Sequence, residues 1–261
     1  MAEYIHGEID SKEIERLEHM APFAADFIFK DFKCDSGMRM LDLGCGIGAM
    51  THQLFNRFPG IDLNGVDIQL QSLRVAQARH PIAFYTLADG AFLPFCDKVF
   101  DCVHSWWLLE HVRSPLNILS EVRRVLKIGG QCQFLEVDNS SFKTIPEQPE
   151  VVEVMSTLNQ IQVESGGDPY IGRRLGQLLK EADFSNVKVI PLNLRGDSSN
   201  FYVFQGLTEV FANIFKSVEQ TLGPKMGPKI RIAAERLRKL QVAEGDAIFY
   251  SPVIGRGTRN C

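Results

Sequence analysis

From Met38 onward, short apolar runs alternate with helical patterns, and few folds accommodate that rhythm. The apolar runs are Met40–Leu43, Leu63–Val66, Ala83–Tyr85, Phe100–His104 and Gln133–Val137. Helical patterns fall between them at about 49–57, 70–79 and 115–127. Strand–helix alternation places successive strands parallel, with helices covering both faces of one sheet. Gly129-Gly130 follows the basic end of the third pattern and reads as its C-cap. Upstream, Ile14, Leu17, Met20, Phe27 and Ile28 fall at three- and four-residue steps, which predicts an amphipathic helix over 11–30 with Ser11 as N-cap. Pro22 predicts a bend or a break in it.

Beyond residue 140 the pattern loosens. Helices are expected at 150–165, at Gly172–Ala182 and over 200–242, the last broken at Gly223-Pro224 and Gly227-Pro228. Strands are expected at Val187–Leu192 and, as the final element, Ala247–Ile254. About fifty residues between two late strands exceed an ordinary loop and predict a small helical cap.

The chemistry is concentrated in Met40–Met50, MLDLGCGIGAM. A strand runs through Asp42 into a loop containing Gly44, Gly46 and Gly48. Glycines serve where the backbone takes positive φ or a ligand must approach it closely. A glycine loop between a strand and a helix N-terminus is the nucleotide-site arrangement of open parallel sheets. The dinucleotide fingerprint is Gly-x-Gly-x-x-Gly with a diphosphate on the helix dipole. Here the spacing is Gly-x-Gly-x-Gly with Asp42 two residues ahead. That pattern suits a cofactor without phosphate whose amino-acid group offers an ammonium and a carboxylate, a description that fits S-adenosylmethionine. Roughly twenty residues on, a second strand ends at Asp67, where dinucleotide folds put the acidic residue that takes the ribose hydroxyls.

Further segments follow in order: Ala88-Asp89-Gly90 with Leu93-Pro94-Phe95; Phe100-Asp101-Cys102-Val103-His104-Ser105 leading into Trp106-Trp107-Leu108-Leu109-Glu110-His111-Val112; and Val125-Leu126-Lys127-Ile128-Gly129-Gly130. Over 38–138 the chain resembles the class I S-adenosylmethionine-dependent methyltransferases, in particular the branch that includes ubiquinone and menaquinone biosynthesis enzymes. The resemblance implies an α/β, Rossmann-like fold: a seven-stranded, mostly parallel sheet with helices on both faces, a last strand that is antiparallel, and a helical cap. It implies that the cofactor contacts Asp42, Gly44, Cys45, Gly46 and Gly48 at its methionine end, Asp67 and Ile68 at the ribose, and Ala88, Asp89 and Gly90 at the adenine, with Ser105 and Trp106 nearby. Tyr4-Ile5-His6-Gly7 and Gly166-Gly167-Asp168 with Ile171-Gly172-Arg173-Arg174-Leu175 resemble the outer segments of a small-molecule subgroup, with Glu8 standing where that subgroup has an aromatic.

As a single domain over 1–261, the chain divides into a lid helix at 1–30, a cofactor-binding core at 37–139 and cap segments at 140–170 and 194–243. Candidate catalytic groups are His6 in the lid, His111, whose ordinary pKa lies near neutrality, and Glu136 at the end of the fifth strand. Either Trp106 or Trp107 is expected to line the methyl-donor pocket, Trp106 in preference, because an aromatic face attracts a sulfonium.

Net charge is −4 and the basic stretch Lys225–Lys239 has few interleaved aromatics. A nucleic-acid partner is therefore not expected, and that stretch reads as a solvated face. No run approaches the ~18–20 apolar residues of a membrane span. The six cysteines lack metal-ligand spacing, so no metal is expected, and they read as free thiols of a cytoplasmic protein. The expected partner is a small-molecule methyl acceptor, and the chain is expected to act as a monomer or homodimer. Its competitors are an RNA or protein methyltransferase, a non-catalytic cofactor-binding regulator and a dinucleotide oxidoreductase.

Overall fold

A computed structural model describes residues 9–219, 226–240 and 245–261. Helix α1, Ser11–Ile28, is capped by Asp10, whose carboxylate accepts from the Glu13 amide at 2.8 Å. Asp10 thus replaces Ser11 as N-cap, an acidic acceptor serving the positive end of the helix. Pro22 is carried inside α1, which remains one helix.

The sheet begins with β1, Arg39–Leu43, and β2, Asp62–Asp67, separated by α2, Ala49–Arg57. Next come α3, Leu70–Arg79, and β3, Phe84–Leu87, then β4, Phe100–Trp106, and α4, Pro115–Val125. Strand β5, Leu126–Glu136, starts directly at the end of α4. Gly129-Gly130 therefore lies inside a strand instead of capping a helix. Leu126 is already extended, and Gly129 takes φ +80° within β5.

Seven strands line up as β3-β2-β1-β4-β5-β10-β7, where β7 is Phe184–Pro191 and β10 is Val253–Arg259. The first five are mutually parallel, and β10 runs antiparallel to both β5 and β7. The Gly172–Ala182 segment is a short 3₁₀ turn, Ile171–Arg174, continued by α6, Leu175–Glu181.

The run expected as one last strand, Ala247–Ile254, is two strands in two sheets. It divides at Ser251-Pro252, and proline has no amide to continue a ladder. The first piece, β9, Ala247–Tyr250, lies between β6, Lys143–Ile145, and β8, Leu194–Gly196, in a three-stranded antiparallel sheet. That sheet joins α5, Pro149–Glu164, α7, Phe201–Ser217, and α8, Gly227–Lys239. Gly223-Pro224, half of the expected break in this region, lies outside the described residues.

These elements share an apolar core containing Val154, Leu207, Phe211, Phe215 and Ile230, on which Met20 of α1 also packs. Helix α1 meets α7 where Phe23 lies over Gly206. A β-carbon at Gly206 would come within 2.2 Å of the ring, so glycine permits the approach. The basic stretch is largely engaged by its neighbours: Lys229 pairs with Glu153, Arg231 with Glu219 and Lys239 with Glu235. Among the described residues no helix is long and apolar enough to cross a membrane, and no cluster suited to a metal ion occurs.

Candidate functional site

Strand order reverses direction at β1, with β2 on one side and β4 on the other. Such a switch point leaves a crevice at the carboxyl ends of the strands. A cavity of about 370 Å³ occupies it. Its floor is the β1–α2 loop. The amides of Gly44 and Cys45 donate to the Val66 carbonyl at 2.8 and 3.0 Å, tying the loop to β2. Gly44 and Gly46 take φ +74° and +52°, and a β-carbon on Gly46 would meet nothing within 4 Å. A side chain there would project into open space beside the cavity floor.

Asp67 ends β2 on the cavity wall. One of its carboxylate oxygens accepts from the Gly46 amide at 2.9 Å and the other from the Gln69 amide at 2.8 Å. Each oxygen keeps a lone pair for a further donor. Burial holds this carboxyl above its usual range, opposed by the same backbone donors. Asp42 is buried under the loop. It accepts from Thr51 Oγ1 at 2.6 Å and faces His104 Nδ1 at 3.3 Å, so it ties α2 and β4 to the loop while still edging the cavity. Cys45 and Ile68 also line the cavity.

Five residues expected to contact the cofactor do not line this cavity. Gly48 lies at the head of α2 at φ +80°, where a β-carbon would come within 2.9 Å of the Tyr85 hydroxyl and 3.1 Å of Ala76; its smallness serves helix–strand packing. Ala88, Asp89 and Gly90 follow β3 outside the cavity wall. The Ala88 amide donates to the Asp67 carbonyl, and the Asp89 carboxylate accepts from Ala91 in a local turn. Ser105 is fully buried, its hydroxyl donating to the Leu43 carbonyl at 2.9 Å, so its side chain braces β1 against β4.

At the far end of the cavity stand Glu110, His111, Asn139, Gln162 and Tyr250, among the apolar side chains of α5 and α7. Glu110 is buried and accepts from Gln162 Nε2 at 2.7 Å, and its other oxygen lies 3.7 Å from His111 Nε2. The Tyr250 hydroxyl donates to Asn139 Oδ1 at 3.3 Å. Burial pushes this phenol well above its ordinary range, reinforced by the charges of Glu110, Asp138 and Glu136. Arg16 reaches the wall from α1, bound to Glu13 through two bonds of 2.7 and 2.5 Å.

Glu136, expected to face the acceptor, instead lies fully buried behind the loop that follows β4. It accepts from three successive amides, those of Leu108, Leu109 and Glu110, at 3.2, 2.8 and 3.2 Å. It positions the loop carrying Trp107 through His111. Burial, and then the charge of Glu110, pushes Glu136 up to about 8 against those donors. Trp106 and Trp107 both line the cavity, between its two ends in chain order. His6 lies outside the described residues.

Sequence reasoning missed Arg16, Gln162, Asn139 and Tyr250. Each is one residue of a distant segment, and no local spacing marks it. Amphipathic periodicity identifies the apolar faces of α5 and α7 but does not separate a cavity wall from a packed core.

Residues 41–134 match the model of a family described as a methyltransferase domain. An uncharacterized 37.1 kDa protein encoded in a transposon of Streptomyces fradiae is 29% identical over 189 residues, covering 69% of this chain and 54% of that protein. A ubiquinone/menaquinone biosynthesis C-methyltransferase of Desulfotalea psychrophila is 32% identical over 100 residues, 38% of this chain and 41% of that one. The chain thus spans about half the length, or less, of these curated relatives. Among solved structures, Haemonchus contortus phosphoethanolamine N-methyltransferase 2 in complex with S-adenosyl-L-methionine superposes with a TM-score of 0.61 at 18% identity, covering 92% of this chain and 53% of that one. The geranyl diphosphate C-methyltransferase of Streptomyces coelicolor gives 0.54 at 15% identity, covering 99% and 88%. The matched segment resembles a methyltransferase domain, and the fold is the one seen in the Haemonchus contortus enzyme in complex with S-adenosyl-L-methionine. The glycine floor, open above Gly46, and the spare lone pairs of Asp67 fit that cofactor.

Proposed function

We propose that this chain transfers a methyl group from S-adenosylmethionine to an N, O, S or C nucleophile of a small molecule. The observation that carries this is one continuous cavity running from the Gly44–Gly46 floor and Asp67 to Glu110 and His111. Bound S-adenosylmethionine supplies an electrophilic methyl on a sulfonium. Asp42, Gly44, Cys45 and Gly46 would hold its amino-acid end, and Asp67 with Ile68 its ribose. Ala88, Asp89 and Gly90, adjoining Asp67 in the chain fold, are assigned to the adenine by family resemblance. Trp106 would present a ring face to the positive charge.

Alignment of acceptor and donor in a water-poor cavity lowers the barrier by several kcal/mol, ~7 or more in favourable cases. Where the acceptor is a hydroxyl or an acidic carbon, His111 Nε2 would take its proton, with Glu110 at 3.7 Å stabilising the resulting imidazolium. Residues 1–30 are assigned as the cover. In support, Ile9, Arg16 and Leu17 from this segment form part of the cavity wall. A wall closed by α1, α5 and α7 favours a small acceptor over folded RNA or protein.

Calorimetric titration with S-adenosylhomocysteine, S-adenosylmethionine and NAD tests the assignment. The sulfur ligands should bind and NAD should give no heat. Binding of NAD alone overturns it. Binding of the sulfur ligands with no labelled methyl transferred across a metabolite library would favour a regulator.

A further inference from the structure

The cavity does not end on continuous core. Behind its far end, between α1, α7 and the sheet edge, lies a second space of about 30 Å³ lined by apolar side chains that include Phe23, Phe27, Leu192 and Leu207. Among the described residues only Trp107 and Tyr250 border both spaces. The two partitions are held very differently. Tyr250 is a strand residue, paired through β9 with Leu194, and its hydroxyl is bonded to Asn139. Trp107 follows β4 in a loop. Its backbone sits at φ +53°, a region that bulky residues rarely adopt and keep only where surrounding structure enforces it. Its indole N–H is buried with no hydrogen-bond partner. The backbone amide is fixed to the Leu135 carbonyl at 2.9 Å, and the ring leans on Trp106 at 4.9 Å between centroids. Packing alone, with no polar bond, therefore keeps the indole where it closes the larger cavity.

We propose that Trp107 is a specificity-determining residue: its indole is the partition that sets how long an apolar acceptor this site takes. The proposal deepens the methyl-transfer assignment and rests on it. The acceptor class it implies has a polar, reacting end towards His111 and a slender hydrocarbon end directed at Trp107. Beside the polar groups around His111, the acceptor half is walled by Met155, Leu158, Phe211 and Ile214, which reward hydrocarbon.

The test uses 4-n-alkylphenols of one to eight chain carbons, titrated calorimetrically into the full chain with and without S-adenosylhomocysteine. Each buried methylene should tighten binding about fourfold. In the wild type this gain should stop at a definite chain length. In Trp107→Leu it should continue for at least two further carbons, and in Trp107→Leu/Ala24→Leu, where the added leucine fills the second space, it should stop again near the wild-type length. Trp107→Phe, a smaller change, serves if the leucine variant melts early, and should extend the series by about one carbon. With Trp107 replaced, Trp106 is the chain's remaining tryptophan, so its fluorescence reports ligand in the same cavity. A stop at the same length in every variant, or no gain with length in any of them, overturns the proposal. Failure to bind S-adenosylhomocysteine would instead remove the methyl-transfer assignment, and the series without that ligand would still decide the partition.

Discussion

The two halves of the cavity are built on different principles. The floor uses backbone: amides and carbonyls of one loop, positive-φ glycines, and two aspartates within 25 residues of chain. The far wall uses side chains gathered from α1, α5, α7 and β9, separated by more than two hundred residues of chain and held by a shared apolar core. A cofactor site made of backbone tolerates little variation, because the loop conformation is itself the site. An acceptor site made of separately supplied side chains is open to change one residue at a time without disturbing the floor.

That contrast breaks most sharply at the cap core. Phe215 is fully buried there and does not touch the cavity. Phe215→Ala should lower stability by about 3–5 kcal/mol in urea unfolding. S-adenosylhomocysteine affinity of the folded fraction should change less than about threefold. A large loss of affinity would mean that the floor depends on the cap.

On the floor side, Asp67→Ala removes two acceptors offered to the cofactor, each charge-assisted bond being worth about 1.5–3 kcal/mol. Cofactor affinity by calorimetry should fall at least about tenfold while circular dichroism stays unchanged. Undiminished affinity with an intact fold would exclude Asp67 from the site.

Glu136 joins the two halves, and pH sharpens its role. Its folded pKa, about 8, lies above the ordinary 4.5. Its contribution to stability is thus fully present below 4.5 and is lost as pH rises through 8. Between pH 7 and 9 the loss is on the order of 1 kcal/mol. Glu136→Gln, which cannot ionise, should lack that slope, so the stability difference between the two proteins should shift by that amount across the interval. Parallel pH profiles would show that Glu136 is already ionised at neutrality and held so by its three amide donors.

The smallest effect is expected on α8. Arg231 and Glu219 form an ion pair at the surface, and Arg231→Ala should alter stability by no more than about 0.5 kcal/mol and leave cofactor affinity unchanged. A larger change would give this basic face a role that solvent exposure alone does not predict.

Periodicity located α2 and α3 to the residue because their apolar stripes are bounded by glycine or turn signals on both sides. It failed at Gly129-Gly130, where a glycine pair compatible with a helix cap lies inside β5, in the register shift between Leu126, opposite Phe100, and Gln131, opposite Cys102 and Thr258. It failed again at Ser251-Pro252, since nothing local says that two neighbouring strands join different sheets.

By itself the sequence determined the alternating parallel sheet, the glycine loop and its acidic neighbours, because those features depend on residues close together in the chain and on backbone conformations only certain residues adopt. Tertiary structure alone decided what faces the cavity. It turned Ser105 and Glu136 into braces, since their polar atoms found buried partners. It brought Arg16, Gln162 and Tyr250 to the wall and set Trp107 between two apolar spaces. The physical reason is the same in each case: a side chain's role follows from which hydrogen-bond partners and packing neighbours the folded chain brings to it, and those neighbours come from anywhere in the sequence.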